Sequence, residues 1–205
     1  MSELFSSSPV VPVVVIDDLE TAVPLARALL LGSVSIIEVT LRSPVALDAI
    51  RMIVDEVPGM VVGAGTVCSA ESAHASAAAG ARFLVSPGST DRLLDTLSDT
   101  GLPFLAGTAT PSDMMRLLER GISQAKLFPA VAVGGAALLK AVYGPLPDLR
   151  FCPTGGISEQ TAPQFLELPN VMCVGGTWLT PAELVAARDW TAITALARRA
   201  AQLAG

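Results

Sequence analysis

Two charged residues sit where a buried strand should run. Lys126 lies in Gln124-Ala125-Lys126-Leu127-Phe128-Pro129-Ala130, and Glu38 in Ser35-Ile36-Ile37-Glu38-Val39-Thr40-Leu41-Arg42. Side chains along a strand alternate between its faces. Lys126 and Phe128 therefore share one face, with Leu127 opposite, and Glu38, Thr40 and Arg42 stand opposite Ile37, Val39 and Leu41. If the apolar sets meet covering helices, the polar sets point into the interior. Burial disfavours an ammonium and favours an amine able to attack a carbonyl. A buried carboxylate can move the accompanying protons, and Arg42, nearer the strand end, can bind an anion. A lysine nucleophile with a glutamate shuttle is the equipment of Schiff-base chemistry. The same residues also fit a structural lysine paired with a carboxylate, and a buried Glu38–Arg42 ion pair. Lysine is otherwise avoided: only Lys140 accompanies eleven arginines, and Ala-Ala-Leu-Leu-Lys-Ala-Val places it on a helix surface.

A second signal comes from small turns. Thr154-Gly155-Gly156 and Gly175-Gly176-Thr177 each follow a late apolar run. Glycines there let backbone N–H groups approach an anion such as phosphate. Similar small, polar stretches occur at Gly63–Thr66, Ser86-Pro87-Gly88 and Gly107-Thr108.

The elements that must carry these residues are β-rich runs at 10–16, 35–41, 61–67, 83–87, 103–108, 125–129, 150–154 and 171–174, with helical spacing between them. Ser43-Pro44, Thr110-Pro111 and Thr180-Pro181 read as helix starts, a capping side chain before a first-turn proline. Pro24 is expected inside the first helix, where it should kink it. Eight strands alternating with helices predict a single compact (β/α)8 TIM barrel over residues 1–205, with an open doubly wound sheet as the runner-up. Chemistry in such a barrel belongs at the C-terminal strand ends, where the small polar turns fall.

Composition removes other functions. The single histidine, His74, cannot supply a multi-histidine metal centre, and its alanine-rich surroundings place it on an exposed helix. A net charge of -6 argues against a nucleic-acid surface. The apolar runs are broken by Pro and Gly before the roughly 18 residues that a membrane span requires, and Met1–Ser8 lacks the pattern of a secretory leader. Cys68, Cys152 and Cys173 read as reduced core thiols of a cytosolic protein, and Trp178 and Trp190 as packing anchors.

Taken together, Ile37-Glu38-Val39-Thr40-Leu41-Arg42, Gly63-Ala64-Gly65-Thr66-Val67, Ser86-Pro87-Gly88, Lys126-Leu127-Phe128-Pro129-Ala130, Arg150-Phe151-Cys152-Pro153-Thr154-Gly155-Gly156-Ile157 and Gly175-Gly176-Thr177-Trp178 carry a resemblance. Over nearly its whole length the chain resembles the class I aldolases of 2-keto-3-deoxy-6-phosphogluconate (KDPG) and 4-hydroxy-2-oxoglutarate (KHG). The resemblance implies Lys126 as the Schiff-base lysine and Glu38 as the general acid/base. It implies that Arg42 and Thr66 hold the pyruvate carboxylate and that Pro87 and Phe128 wall the pocket. Thr154 falls at the position handling the aldehyde-side hydroxyl, and Gly155, Gly156, Gly175, Gly176 and Thr177 fall on the phosphate loops. It further implies a cytoplasmic homotrimer without cofactor or metal, acting on a phosphorylated keto acid and pyruvate, with no nucleic-acid or membrane partner. Departures are Thr177 where serine is common, the Gly107–Pro111 stretch, and an apolar Val131–Gly134. Alternative readings are a preference for KHG or the phosphogalactonate analogue, a non-aldolase phosphosugar isomerase or synthase, and a non-catalytic phosphosugar-binding barrel.

Overall fold

The computed structural model describes residues 3–203; Met1, Ser2, Ala204 and Gly205, and with them the start of the Met1–Ser8 segment and the chain's last residues, lie outside that range. Eight strands alternate with helices: β1 Val10–Val14, β2 Ile36–Thr40, β3 Val61–Gly65, β4 Phe83–Val85, β5 Phe104–Thr108, β6 Gln124–Leu127, β7 Arg150–Pro153 and β8 Val174–Gly176. Every neighbouring pair from β1 to β7 is parallel, and β1 also pairs with β8. Isolated parallel bridges, Phe151–Val171 and Thr154–Gly175, draw β7 and β8 together. The result is a single compact, nearly closed (β/α)8 barrel. The last strand begins at Val174, later than the 171–174 expected, because Val171 meets β7 only through its isolated bridge.

The helices are α1 Ala22–Leu31, α2 Ala46–Glu56, α3 Ala70–Ala78, α4 Asp91–Asp99, α5 Pro111–Glu119, α6 Gly135–Tyr143, α7 Ala162–Leu166, α8 Ala182–Ala186 and α9 Trp190–Ala201. Strand residues Val14, Ile37, Val39, Val62, Ala64, Leu84, Ala106, Ala125 and Leu127 pack outward against them. Their partners in alternation fill the lumen. Phe5, Val11, Ile36, Phe83, Val85, Leu105, Cys152 and Cys173 form a separate apolar cluster there. Phe5 precedes β1 and meets Phe83 edge-on, ring centroids 5.3 Å apart. The lumen floor is thus apolar and plugged, leaving the C-terminal strand ends as its open side.

Several local expectations need correction. A 3-10 turn at Leu19–Thr21 delays α1 to Ala22, so Pro24 falls in the first turn, where its missing N–H costs no hydrogen bond. Ser43 does not cap α2; its hydroxyl donates to the Ile16 carbonyl at 2.5 Å and ties the β2 loop to β1. Thr180 caps nothing, since α8 begins at Ala182 without a side-chain cap. Thr110 behaves as expected, forming a reciprocal capping box with Asp113. Cys68 is exposed rather than a core residue, whereas Cys152 and Cys173 are buried and free. Trp178 and Trp190 pack on the outer core, and His74 and Lys140 are exposed.

Candidate active site

Strands β2 and β6 stand on opposite sides of an eight-stranded barrel, and their inward side chains meet across it. Lys126 Nζ lies 3.3 Å from Glu38 Oε1, and the two side chains are 6% and 4% exposed. Glu38 therefore pairs with Lys126, and the Glu38–Arg42 pair left open by the sequence does not form. An ammonium and a carboxylate buried together each reduce the other's desolvation cost. They also stand within proton-transfer distance. The Phe128 ring, two residues on and on the same face, lies 5.2 Å from Lys126 Nζ at its centroid. The apolar lumenal cluster carries two thiols, Cys173 and Cys152, the latter the register partner of Lys126 on β7. A hydrogen bond with Cys152 and complete burial push the Cys173 thiol well above its ordinary range, with the negative charge of Glu38 adding to the effect.

Glu38 owes its place to Gly65 on the neighbouring strand. A Cβ there would stand 2.6 Å from Glu38 Cγ and 2.7 Å from Cδ, inside normal contact. In the sequence Gly65 reads only as part of a small-residue turn. Gly107 plays a related part: a side chain there would run into the backbone of Pro87, which leans over β5.

Toward the mouth, Arg42 Nε donates to Thr66 Oγ1 at 3.1 Å. Thr66 takes a left-handed backbone (φ 60°), rare for a β-branched residue. That conformation turns the chain sharply after β3 and presents the hydroxyl to Arg42. A strained residue held this way is a pointer to function. Thr154, buried after β7, approaches Gly175 of β8, and its Oγ1 lies 3.4 Å from the Cys152 carbonyl. Gly155 and Gly156 both have positive φ and press against Pro129 and Val131, so a side chain at either would displace the loop that follows β6. Gly175 and Gly176 form the end of β8, and Thr177 is exposed beyond it. The twelve residues singled out from the sequence thus occupy lumen-facing or strand-end positions at one end of the barrel.

Two features went unread in the sequence. One is that Cys152, read only as a core thiol, stands in register beside Lys126. The other is a cavity of about 630 Å³ between the ends of β1 and β8, lined by Val13, Val15, Asp17, Thr177 and Val185 among others. Arg188 borders it and reaches back to Asp18 (3.4 Å) and Glu20 (2.8 Å). Period-two alternation from the lumenal Val11 would have placed Val13 and Val15; no local pattern announces a contact between residues 168 apart.

The family model of KDPG and KHG aldolases matches residues 1–196. The chain belongs to that family. A 2-dehydro-3-deoxy-phosphogluconate aldolase of Pseudoalteromonas atlantica is 48% identical over 198 residues, covering 97% of this chain and 92% of that protein. A KHG/KDPG aldolase of Escherichia coli is 45% identical, covering 97% of this chain and 93% of the relative. Among solved structures, a KDPG aldolase of Legionella pneumophila, with pyruvate captured at low pH as a covalent carbinolamine, superposes with a TM-score of 0.95 at 44% identity. That alignment covers 97% of this chain and 96% of the other. Among the described residues no three His, Cys, Asp or Glu side chains gather in a metal-binding arrangement, and no helix is long and apolar enough to cross a membrane.

Proposed function

We propose that this chain is a class I aldolase that cleaves 2-dehydro-3-deoxy-6-phosphogluconate to pyruvate and glyceraldehyde 3-phosphate. The observation that carries the reading is the buried Lys126–Glu38 pair, 3.3 Å apart across the lumen. Glu38 takes a proton from Lys126, and the amine attacks the C2 ketone. Glu38 returns that proton to the carbinolamine hydroxyl, which leaves as water to give a protonated imine and a carboxylate ready to accept again. Glu38 then accepts the C4 hydroxyl proton, directly or through water. The C3–C4 bond breaks, its electron pair passes into the imine, and the aldehyde leaves. Returned to C3, the proton converts the enamine to an imine, which water hydrolyses to pyruvate and the free lysine.

Arg42 and Thr66 are the carboxylate-holding pair: the guanidinium offers charge-assisted hydrogen bonds and Thr66 orients it. Phe128 and Pro87 wall the pocket and limit water around the imine. Thr154 meets the aldehyde-side hydroxyl, and Gly155, Gly156, Gly175, Gly176 and Thr177 receive the phosphate. The Escherichia coli relative's name makes KHG the second substrate to assay. A homotrimer is the assembly that the family resemblance implies, and three free cysteines fit a cytoplasmic, reducing compartment. Pyruvate with borohydride should attach one reduced pyruvyl group at Lys126, and Lys126→Ala should abolish both labelling and pyruvate release. Labelling at Lys140, or full activity in Lys126→Ala, refutes the assignment.

A further inference from the structure

The cavity between β1 and β8 opens beside the reaction centre. Val13, one of its walls, is the strand-register partner of Glu38, and Thr177, another, follows β8. On the aldolase reading, a six-carbon acid held at Lys126 through C2 extends its far end toward the Thr177 loop, which also lines this cavity. The charge it meets there is negative. Asp17 and Asp18 line the cavity, and Glu20 stands behind them. The one cation on that wall, Arg188, is already shared between Asp18 and Glu20. The formal sum of these four groups is two negative charges, facing loops that would take a phosphate dianion.

We propose that Asp17 and Asp18 set the substrate's charge preference: they weaken binding of a phosphorylated far end and leave an uncharged one unaffected. Arg188 moderates that repulsion by neutralising part of the acidic wall. The inference rests on the aldolase reading and concerns only the discrimination within it. These carboxylates are exposed, so the interaction acts through a high dielectric and is open to screening by salt.

The experiment compares KDPG with its unphosphorylated analogue, 2-keto-3-deoxygluconate, by coupled pyruvate release at low and high salt. Asp17→Asn should lower KM for the phosphorylated acid by about three- to tenfold at low ionic strength, with kcat and the KM of the neutral-tailed acid unchanged. High salt should collapse the difference. Arg188→Gln should shift the phosphorylated KM upward, again without moving the analogue. Equal KM changes for both acids, or none in either variant, overturn the proposal. No pyruvate from wild-type protein on either acid refutes the aldolase reading itself, and the proposal with it.

Discussion

Gly65→Ala tests whether the position of Glu38, rather than its mere presence, makes the site. The added methyl would sit 2.6 Å from Glu38 Cγ and 2.7 Å from Cδ, where carbon atoms prefer separations of about 3.5–4.0 Å. Glu38 must then move by about 1 Å. It has little free space, being 4% exposed at its side chain and already 3.3 Å from Lys126 Nζ. Misplacing a reacting group by this much can cost about 100-fold in rate. Overpacking should also lower stability by about 1–3 kcal/mol, so urea melts must show that the variant is folded under assay conditions. In the pyruvate-release assay kcat should fall about 100-fold, while prolonged borohydride trapping still labels the unchanged Lys126. Adding Glu38→Asp, one methylene shorter, should return part of the lost rate by vacating the space the methyl takes. A folded Gly65→Ala enzyme with wild-type kcat would refute the reasoning, because the glycine would then not be what fixes the carboxylate.

Two further changes separate stability from function. Thr66→Gly removes a left-handed β-branched residue (φ 60°), a strain of about 1–2 kcal/mol that the greater freedom of unfolded glycine partly offsets. The melting temperature should rise while KM for the keto acid increases, because Arg42 loses its hydroxyl partner; a lower melting temperature contradicts this. Asp113 has its carboxyl held below the ordinary value of 3.8: burial opposes this, but hydrogen bonds from the Ala109 and Thr110 backbone and the Thr110 hydroxyl outweigh it. A depressed carboxyl stabilises the fold above its unfolded pKa and loses that contribution as pH falls through the folded one. Asp113→Ala should therefore cost about 1 kcal/mol at neutral pH, with the gap to wild type closing below 3.8 in urea melts.

Legibility in the sequence followed from how local each determinant is. Alternation in a strand depends on neighbours two residues apart, so the lumenal faces of Glu38 and Lys126 could be read directly, and eight regular repeats gave the barrel. The partner of Glu38 could not. Arg42, four residues along the same strand, competed with a lysine 88 residues away, and only closure of the barrel brings β6 opposite β2. The same limit hid Gly65, whose requirement comes from a side chain on the next strand, and Arg188, whose partners lie at the other end of the chain. Helix starts failed for a related reason. Ser43 was expected to cap α2, yet its hydroxyl binds the Ile16 carbonyl, because joining two strand ends at the mouth competes with capping a helix. Thr110 faces no such competitor and caps as expected.

The acidic wall by the mouth shows why family membership does not settle substrate preference. In the proposed reaction the lysine, its carboxylate and the arginine–threonine pair act on the keto-acid end, which every 2-keto substrate of this chemistry shares. What differs between substrates lies at the far end, and there the proposed selectivity comes from long-range charge. A carboxylate that touches nothing can still change the binding of a dianion, since Coulomb interaction falls only slowly with distance. Asp17 has that standing: exposed, at the edge of the cavity, and outside the covalent steps. Its effect should thus appear in KM and vanish with salt, whereas displacing Glu38 should appear in kcat and persist at any ionic strength. Those two signatures distinguish residues that do the chemistry from residues that choose its substrate.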